Sequence, residues 1–372
     1  MYDFIIVGAG FFGAVFAYEA KKAGKKVLVI EKRDHIGGNC YSYNYPGTDI
    51  NVHKYGPHIF HTSSEKIWQY INSFADFNDY RHRVLTTAGG KVYSLPINLA
   101  TINKFYNLTL TPDEAVGFLK SKIPAIPFPK NLEEKAISLI GRELYETFIK
   151  GYTIKQWNCD PRDLPAEVIT RLPVRTTYND VYYDDDYQGM PIGGYTHIFE
   201  KLLKDISVEL KTDFVKKKDY WRSIAKTLVY TGPIDRYFNY CYGKLRWRSC
   251  RFEIEKMQLS DYQGVSIINY ADREVPYTRI VEPKHFYRER ADLSRGTVIV
   301  REYPCDDQAE PYYPVRLKTD QEMLVKYQKA ESHERNVIFG GRLAEYKYYN
   351  MDQVIFGALE QVGKLLKQNA SK

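Results

Sequence analysis

Apolar residues near the start of the chain form two short runs. Residues 3–8 read DFIIVG and residues 27–30 read VLVI, and a stretch with a helical pattern lies between them. Short apolar runs bounded by turn residues are typical of buried strands. The pattern therefore predicts a strand, a helix and a second strand, which is the order of a βαβ unit.

Further along, the apolar period changes to that of helices. In residues 64–76, the side chains of Ile67, Tyr70, Ile71 and Phe74 share one face of a predicted helix. This spacing predicts an amphipathic helix with that face buried.

Two later helix starts carry capping signals. Thr111 precedes a proline and two acids, and Asn131 has Glu134 at the position of a capping box. We expect one helix over residues 131–150. Residues 64–165 are therefore predicted to form a helical insertion.

The second half of the chain reads mostly as strands. Residues 170–190 and 240–315 are strand-like and rich in tyrosine, and residues 195–235 mix helix and strand. The tail has an apolar run at residues 337–339 before a glycine turn, and a final helix from about Asp352. This last strand and helix are expected to complete the first domain.

A glycine pattern lies at the start of the first predicted helix. Gly8, Gly10 and Gly13 form GxGxxG after the first strand, and Glu31 follows the second strand. Gly8 permits a tight turn, Gly10 admits a pyrophosphate close to the backbone, and Gly13 lets the helix pack on the strand. The helix N-terminus favours phosphate, and Glu31 can accept hydrogen bonds from a ribose. A purely structural glycine turn is the alternative, but both strands and the acid favour a dinucleotide site.

A second glycine pair narrows the choice of dinucleotide. Gly37 and Gly38 follow soon after Glu31 and would let the backbone pass close to an elongated ligand. The pattern resembles the FAD-binding start of glutathione-reductase-like and amine-oxidase-like flavoproteins, whereas an ordinary Gly-Gly turn is the alternative. Residues 212–215 are a weaker clue, because a segment in that place touches adenine in such flavoproteins.

These patterns predict a mixed α/β fold. We expect a Rossmann-like FAD-binding domain, an inserted helical domain and an antiparallel-sheet domain for the substrate. The predicted bounds are residues 1–63, 195–240 and 335–372 for the FAD-binding domain, 64–165 for the helical insertion, and 166–194 with 241–334 for the sheet domain.

Composition excludes several classes of protein. The 372 residues are 44% hydrophobic and contain no apolar run of the roughly 18 residues that would span a membrane. The N-terminal apolar stretch is too short for a signal peptide. Five cysteines without a CxxC motif favour reduced thiols in the cytoplasm over disulfides or a zinc site. The net charge of +7 does not indicate nucleic-acid binding and suits an anionic small substrate.

Two clusters combine aromatic side chains with other binding groups in a chain that holds 33 tyrosines. Tyr152 and Trp157 leave a helix end, where they could stack on a base or a sugar or be ordinary core residues. Arg171 and Arg175 precede several tyrosines, which suits a diphosphate. A solvated strand pair with surface ion pairs is an equal alternative for this second cluster. Its tyrosines are Tyr178, Tyr182, Tyr183 and Tyr187.

Three further segments are less decisive. Residues 276–280, preceded by Asn269, and residues 310–314 read on their own as ordinary strands and turns. In residues 340–352, a glycine pair and Arg342 precede the last helix, whose N-terminus could face the N1–C2=O edge of a flavin. A plain strand-to-helix turn is the alternative there.

Residues 53–62 contain three of the eight histidines, His53, His58 and His61. The loop has no acid or cysteine and the intervals are irregular, so a loop beside the flavin is favoured over a metal site. The sequence has no GxSxG motif and no Cys–His pair of family spacing. If the protein is an enzyme, a flavin must therefore supply the reactive atom.

Together these motifs make the chain resemble the prokaryotic UDP-galactopyranose mutases over nearly its whole length, and several of the matching strings are specific to that family. The matching strings are residues 5–10, 29–33, 35–39, 53–56, 58–62, 149–153, 155–157, 173–175, 230–235, 275–280, 311–314 and 340–349.

The resemblance implies an isomerase that interconverts UDP-galactopyranose and UDP-galactofuranose on reduced FAD without net redox change. In that family, flavin N5 attacks the anomeric carbon as UDP leaves, and the covalent flavin–sugar adduct opens the ring. The ring recloses through the 4-hydroxyl and UDP reattaches. The resemblance also implies a cytoplasmic homodimer that serves cell-surface polysaccharide biosynthesis. Its expected partner is a UDP-sugar, and neither a nucleic acid nor a membrane span is expected.

The resemblance assigns roles residue by residue. Arg175 and Arg279 would be catalytic by neutralising the diphosphate, and Tyr152 would stack on uracil. The implied substrate-binding residues are Tyr152, Thr153, Trp157, Tyr182, Asn269, Tyr313, Tyr348 and Tyr349. The implied cofactor-binding residues are Gly8, Gly10, Phe12, Gly13, Glu31, Lys32, Gly38, Asn39, His58, Ile59, Val215, Arg342, Met351, Asp352 and Val354. No metal is expected.

Some points stay open at the level of sequence. The family commonly has an acid where this chain has Asn350, so the contacts of that acid are not assigned. UDP-N-acetylgalactosamine is a further candidate substrate, with His61 as a residue that could govern the choice. Because residues 173–190 mix proline, acids and tyrosines, we expect Arg175 on a loop that closes over the UDP-sugar. The competing functions are an amine-oxidase-like FAD oxidoreductase and a non-catalytic nucleotide-sugar-binding protein.

Overall fold

A computed structural model describes residues 1–169, 173–287, 296–306 and 310–370, with side chains to residue 367. Its strands are β1 Tyr2–Val7, β2 Val27–Ile30, β3 Ser42–Asn44, β4 Asn51–His53, β5 Phe60–Thr62, β6 Val84–Ala88, β7 Lys91–Leu95, β8 Tyr187–Gly189, β9 Ser207–Glu209, β10 Ala225–Tyr230, β11 Trp247–Met257, β12 Ile267–Tyr270, β13 Arg279–Val281, β14 Thr297–Cys305, β15 Tyr313–Pro314 and β16 Val337–Phe339.

Twelve α-helices are found in the described part of the chain. They are α1 Phe11–Lys22, α2 Glu65–Asn72, α3 Leu99–Tyr106, α4 Pro112–Lys122, α5 Leu132–Ile140, α6 Arg142–Leu144, α7 Gly151–Trp157, α8 Thr196–Leu202, α9 Lys218–Ser223, α10 Ile234–Tyr237, α11 Lys318–Glu331 and α12 Met351–Ala370. A π-helical turn, Tyr145–Lys150, joins α6 to α7, and 3-10 turns cover Gly38–Cys40, Ala166–Val168, Phe214–Lys217 and Pro283–Phe286.

The chain divides into two compact units. Unit 1 comprises residues 1–78, 185–246 and 318–372, and unit 2 comprises residues 79–184 and 247–317. The mixed α/β fold class predicted from the sequence is confirmed. The division into three domains stays a prediction, although α2 lies in unit 1 and the other helices of the predicted insertion share unit 2 with the antiparallel sheet.

Unit 1 is built on a parallel sheet in the order β16-β10-β1-β2-β9. All four residues of β2 are buried, and Ile5 and Ile6 of β1 are fully excluded from solvent. Strands buried in this way are expected in parallel sheets, which are covered by helices. The predicted strand–helix–strand start is therefore confirmed, and the C-terminal strand β16 joins the same sheet through β10.

The start of α1 is held close to β1 by two glycines. A Cβ on Gly13 would lie 2.0 Å from the carbonyl oxygen of Gly8. Gly8 itself has a φ of 107°, and a Cβ there would lie 2.1 Å from Thr231 Oγ1. No side chain fits in either place, so Gly8 and Gly13 are required by packing before any ligand is considered.

Unit 2 is built on a mostly antiparallel sheet in the order β15-β11-β14-β13-β12-β6-β7. The long strands β11 and β14 pair over nine positions, from Ser249–Cys305 to Met257–Thr297. β12 and β6 pair in parallel, which joins the β6–β7 hairpin to the other strands. The strand-like pattern predicted for residues 240–315 is confirmed for the parts of this range that the structure describes.

The prediction of one continuous helix over residues 131–150 is wrong. The helix expected over residues 131–150 is broken at Gly141, whose φ of 79° is incompatible with a right-handed helix. Asn131 caps α5 as expected, but the Glu134 carboxylate accepts a hydrogen bond from the amide of Lys130 instead of completing a capping box. The signal at Thr111 is confirmed, because Thr111 and Glu114 form a full capping box.

Apart from β8, the described part of residues 170–190, which is residues 173–190, does not form the predicted strands. Among the described residues of this range, the extended pairing consists of β8 and one bridge between Arg83 and Val181. The Arg175 side chain donates to the carbonyl oxygens of Asn179 and Val181, so part of this backbone is satisfied by a side chain instead of by a neighbouring strand. Residues 170–172, which include Arg171, lie outside the described residues.

No helix in the part of the chain that the structure describes is long and apolar enough to cross a membrane.

The close approach of α1 to β1 gives a first prediction. Gly13→Ala should destabilise the protein by about 3 kcal/mol, because the added methyl must displace backbone at Gly8. The matched control is Gly117→Ala in α4, where an added Cβ meets nothing within 4 Å. This change should stabilise the protein by up to about 1 kcal/mol. Urea unfolding of both variants measures this, and equal effects of the two substitutions would contradict the packing argument.

Candidate active site

The N-terminus of α1 and the Gly38 turn form the first part of a candidate ligand site in unit 1. The helix begins after Gly10 without a side-chain cap, so its first amides keep no intrahelical partner and are free for an anion. The Gly37 amide donates to the Ala9 carbonyl, and a Cβ on Gly38 would lie 3.0 Å from Gly10 Cα. The two glycine motifs therefore meet at one place on the backbone.

Glu31 is fixed in position beside them. Its carboxylate is buried and accepts hydrogen bonds from the amides of Ala9 and Arg33, each at 2.9 Å. A carboxylate held by two backbone donors keeps lone pairs free in a fixed direction for ribose hydroxyls. The Thr212 amide donates to the Glu31 carbonyl oxygen, which brings the 3-10 turn that contains Val215 to the same end.

The C-terminal glycine pair packs against the first helix. A Cβ on Gly340 would lie 2.1 Å from Phe12 Cζ, and one on Gly341 would lie 3.2 Å from Phe12 Cβ. The Cys40 thiol lies 3.6 Å from the Met351 sulfur. These contacts bring the start of α12 and the Gly38 turn together, as an elongated dinucleotide would require.

Hydrogen-bonding groups lie beside the place where the start of α12 meets the Gly38 turn. Burial, together with the nearby Arg342, lowers the pKa of His58 to about 4, so its ring is neutral at physiological pH. Asp352 accepts a hydrogen bond from Thr62 through one oxygen. Its other oxygen, Oδ1, is buried and has no hydrogen-bond partner within the described residues. An unpartnered buried acceptor is expected where a ligand hydroxyl binds, so these residues fit FAD.

Unit 2 holds a separate cluster centred on Arg279. The guanidinium donates a hydrogen bond to the Tyr152 hydroxyl at 2.8 Å and lies 3.5 Å from a Glu302 carboxylate oxygen. Arg279 and Glu302 are directly paired across β13 and β14, and Glu302 is only 2% exposed. The strand register therefore creates this buried ion pair.

The charge of Arg279 is secured by its surroundings. Burial alone would lower its pKa, but the Glu302 carboxylate and the hydroxyls of nearby tyrosines outweigh burial and raise the pKa above its ordinary value. These tyrosines are Tyr152, Tyr313 and Tyr182. A permanent cation ringed by hydroxyl groups is well suited to bind a phosphate.

Other predicted substrate residues lie in the same unit. Asn269 is directly opposite Arg279 across β12 and β13, and its buried Oδ1 atom has no hydrogen-bond partner among the described residues. The rings of Trp157 and Tyr313 lie 6.4 Å apart at 60°. Thr153 is buried on α7 beside Tyr152. The aromatic groups and the unpartnered acceptor give the site the features of a nucleotide-sugar pocket.

Arg175 is engaged by its own loop. Its guanidinium donates to the Val181 carbonyl at 2.5 Å, to the Asn179 carbonyl at 3.2 Å and to Asp184 Oδ1 at 2.5 Å. The Arg175 side chain is 11% exposed, whereas that of Asp184 is 71% exposed. A phosphate that approaches Arg175 therefore meets the Asp184 carboxylate as a competing anion.

The remaining predicted site residues are placed as follows. The Tyr182 amide donates to the His82 carbonyl in unit 2. Tyr348 and Tyr349 belong to unit 1, where the Tyr348 ring lies 5.2 Å from the Arg342 guanidinium carbon and the Tyr349 hydroxyl donates to Glu345. Lys32 is exposed and Ile59 is buried. Asn39 and Val354 are partly buried, and the Asn39 amide oxygen accepts a hydrogen bond from Arg33.

Sequence reasoning missed Glu302, Asp184 and Asp185. Glu302 follows the apolar residues 298–300 of β14 after one arginine, and an acid close to such a run was the available signal. Asp185 accepts hydrogen bonds from Ser63 and pairs with His61 at 2.5 Å within unit 1. Nothing in the local pattern distinguishes Asp184 and Asp185 from solvated acids, because residues 184–186 are all aspartate and the partners of Asp185 are distant in the sequence.

One cluster has the composition of a metal site but not its chemistry. Asp261, Glu282 and His285 place ligand atoms within 4.8 Å of one another. The Lys284 ammonium lies between Asp261 and Glu282, and the amides of Tyr262 and Gln263 also donate to Glu282. These donors already neutralise the carboxylates, so the cluster is an ion-pair network. All five cysteines are free thiols.

Fold and site together define an α/β protein with a Rossmann-type dinucleotide unit and a second unit that buries an arginine among tyrosines. A family model described as UDP-galactopyranose mutase matches residues 147–348, and one described as an NAD(P)-binding Rossmann-like domain matches residues 6–74. The chain belongs to the UDP-galactopyranose mutase family. It is therefore an enzyme of the mutase class, and the family implies a flavin cofactor.

Relatives support this assignment over the full length. The chain is 43% identical to the probable UDP-galactopyranose mutase of Klebsiella pneumoniae, over 100% of this chain and 96% of the relative. It is 40% identical to the dTDP-fucopyranose mutase of Escherichia coli, over 98% of each chain. A crystal structure of a reduced UDP-galactopyranose mutase matches 99% of this chain and 94% of its own, with a TM-score of 0.77 at 14% identity, which supports the fold.

The geometry of Glu31 gives a second prediction. Glu31→Gln should release the dinucleotide, because an amide cannot accept both backbone hydrogen bonds and one N–H donor would face another. We expect the purified variant to lose most of its flavin during gel filtration, measured by visible absorbance.

The matched control is Asp34→Asn, an exposed acid in the same loop, which should keep its flavin. Full retention of flavin by Glu31→Gln would contradict the assignment of Glu31 to the cofactor.

Proposed function

We propose that the protein interconverts UDP-galactopyranose and UDP-galactofuranose on reduced FAD, without net redox change. The observation that carries this proposal is the partly buried Arg279, which is held by Glu302 and Tyr152 and lies opposite the unpartnered oxygen of Asn269. A permanently charged donor that is partly exposed beside free acceptors is what a sugar diphosphate needs. It occurs in a chain whose other unit fits FAD.

The chemistry requires UDP to leave the anomeric carbon and later return to it. Arg279 is rigidly placed on β13, so it can hold the diphosphate while the sugar is detached. Arg175 adds a second guanidinium once it is released from Asp184. Two guanidinium groups on one diphosphate stabilise the charge that develops as UDP leaves and keep it bound for reattachment.

Aromatic side chains supply the rest of the binding. Tyr152 lies against Arg279 and offers its ring to the uracil, with Thr153 beside it on α7. Trp157 and Tyr313 form an apolar wall suited to the face of a sugar. Tyr182 completes the hydroxyl groups around Arg279, and Tyr348 and Tyr349 are assigned by family motif from unit 1.

Cofactor residues hold and orient the flavin dinucleotide. The start of α1 binds the pyrophosphate, Glu31 binds the ribose, and Arg342 with the start of α12 lies toward the flavin. When bound, reduced FAD supplies the nucleophilic N5 atom for the anomeric carbon, and reduction adds negative charge that Arg342 and the helix dipole favour.

The nucleotide and the sugar define the remaining specificity. The two relatives differ in both, because one is named for UDP-galactopyranose and the other for dTDP-fucopyranose, at 43% and 40% identity. We assign UDP-galactose and treat the dTDP-fucose pair as the competing substrate. A substrate with an N-acetyl group at C2 of the sugar is a further candidate, and His61 would govern whether it is accepted. We also propose that the protein is a cytoplasmic homodimer.

Product analysis tests the proposal. The reduced protein is incubated separately with UDP-galactofuranose, dTDP-fucofuranose and UDP-N-acetylgalactosamine, and the products are separated by chromatography. We expect UDP-galactopyranose as the main product, with no stoichiometric loss of reductant. Consumption of oxygen with an amine substrate would indicate the amine-oxidase-like alternative, and UDP binding without product would indicate a binding protein.

Arg279 gives the third prediction. Arg279→Ala should lower kcat/KM by about two orders of magnitude or more, because the charge on the leaving diphosphate loses its fixed partner. The flavin should stay bound, since Arg279 belongs to unit 2. Steady-state kinetics and visible absorbance measure both effects.

The control for Arg279→Ala is Arg301→Ala on the adjacent strand, where the guanidinium pairs with Glu255. This variant should keep activity. Loss of flavin from Arg279→Ala would instead place Arg279 in the cofactor site.

Asp184 gives the fourth prediction. Asp184→Asn should tighten UDP binding by about two- to fivefold, because it removes a competing carboxylate from Arg175. Asp184 is mostly exposed, so the effect should shrink as salt is added. Calorimetric titration with UDP at two ionic strengths measures it.

Asp180→Asn is the matched change. Asp180 lies on the same loop as Asp184 but pairs with Arg83, so this substitution should leave UDP affinity unaltered. Weaker UDP binding by Asp184→Asn would show that Asp184 supports the bound state and does not compete with it.

A further inference from the structure

We propose that Lys155 is a positioning residue that fixes the β12–β13 hairpin and thereby aligns Asn269 and Arg279 with Tyr152. The inference rests on the proposed function, because it assumes that these three residues bind the UDP-sugar. Lys155 itself makes no contact that would assign it to the substrate.

The Lys155 ammonium is surrounded by backbone carbonyl oxygens from a single loop. It lies 2.7 Å from the oxygen of Tyr270, 2.8 Å from that of Asp272, and 3.1 Å from those of Val275 and Tyr277. An ammonium has three donors, so four carbonyl oxygens saturate it. Contacts spread over eight residues of loop fix the path of the loop.

The same loop joins the two strands that carry the proposed diphosphate residues. Asn269 is the third residue of β12 and Arg279 is the first residue of β13, and the two are directly paired. Any change in the path of the loop therefore shifts the two side chains relative to each other. Lys155 controls that path from outside the hairpin.

Lys155 also sets the distance from this hairpin to α7. Gly151 is one turn before Lys155 on α7, and a Cβ on Gly151 would lie 2.4 Å from the Ala271 carbonyl oxygen. The helix therefore contacts the loop directly on this face. Tyr152 leaves the same helix and accepts the hydrogen bond from Arg279, so one helix contributes both the ammonium and the substrate ring.

The charge of Lys155 is maintained under physiological conditions. Burial lowers the pKa of Lys155 to about 8, opposed by Asp272 and Glu274, so the ammonium form predominates at neutral pH. The C-terminal end of α7 is also held by a second residue, because Arg248 donates a hydrogen bond to the Gln156 carbonyl oxygen at 2.8 Å. Removing the Lys155 charge should therefore loosen the hairpin without detaching the helix.

Lys155→Met tests the inference, with two readouts. Amide hydrogen exchange should become faster in peptides covering residues 270–278 and stay unchanged in residues 250–256 of β11. Calorimetry should show UDP binding weakened by about tenfold, a loss comparable to that of one charge-assisted hydrogen bond, while flavin content is retained. Lys104→Met, which removes an exposed lysine that donates to the single Val92 carbonyl, is the matched control and should change neither readout.

Two further variants separate positioning from general destabilisation. In an Arg279→Ala background, Lys155→Met should cost much less UDP affinity than in the wild-type protein, because most of its effect passes through Arg279 and only the part through Asn269 remains. Lys155→Ala should recover UDP affinity with added n-butylammonium but not with tetramethylammonium, which has no N–H donor.

The outcomes are distinct. Unchanged exchange at residues 270–278, full additivity of the two substitutions, or no rescue by n-butylammonium would each overturn the inference. If the wild-type protein binds no UDP, the proposed function fails. The exchange measurement then decides the Lys155 contact by itself: faster exchange at residues 270–278 in Lys155→Met supports the fixing of the hairpin, and unchanged exchange overturns it.

Discussion

The pair of Arg279 and Glu302 is the interaction on which the proposed substrate site in unit 2 depends. A guanidinium is costly to remove from water unless a carboxylate and hydrogen-bond acceptors compensate. Here the register of β13 and β14 places the carboxylate directly opposite, and Tyr152 supplies a further acceptor. The cation is therefore present and oriented before any ligand arrives, so the site needs little reorganisation to bind a phosphate.

Unit 1 depends on a different constraint, which is the absence of side chains. Gly8 and Gly13 allow α1 to begin against β1, and Gly38 and Gly340 bring two distant segments to the same helix end. Packing and ligand requirements agree in this region, because Gly8 and Gly38 border the helix start where a dinucleotide would approach the backbone, while Gly13 serves the packing of the helix on the strand. This agreement is why the motif could be read with so little context.

The parts of the structure that sequence predicts well are local. The βαβ start, the N-cap at Thr111 and the final helix each follow from residues a few positions apart, and the structure has all three. The break at Gly141 was missed because a helical period continues on both sides of it. Glycine there adopts a positive φ that no neighbouring residue signals.

The parts that sequence does not predict are set by long-range register and by side chains that bind backbone. Glu302 is 23 positions from Arg279 and meets it only because β13 and β14 pair as they do. Lys155 and Arg175 both satisfy carbonyl oxygens in irregular segments, which no hydrophobic period records. The motif resemblance indicated Arg175 and Arg279 as site residues. Their ion-pair partners, Asp184 and Glu302, are seen only in the folded structure.

The central claim is that UDP is detached from the sugar and reattached within the site. UDP-galactopyranose carrying a heavy-oxygen label in the bond between the anomeric carbon and the β-phosphate tests this most directly. With the reduced protein, the label should scramble among the β-phosphate oxygens, because the freed phosphate rotates before the bond re-forms. With the oxidised protein the label should stay in the bridge. Retention of the bridging label with the reduced protein, under conditions where UDP-sugar binding is saturated, would contradict the account.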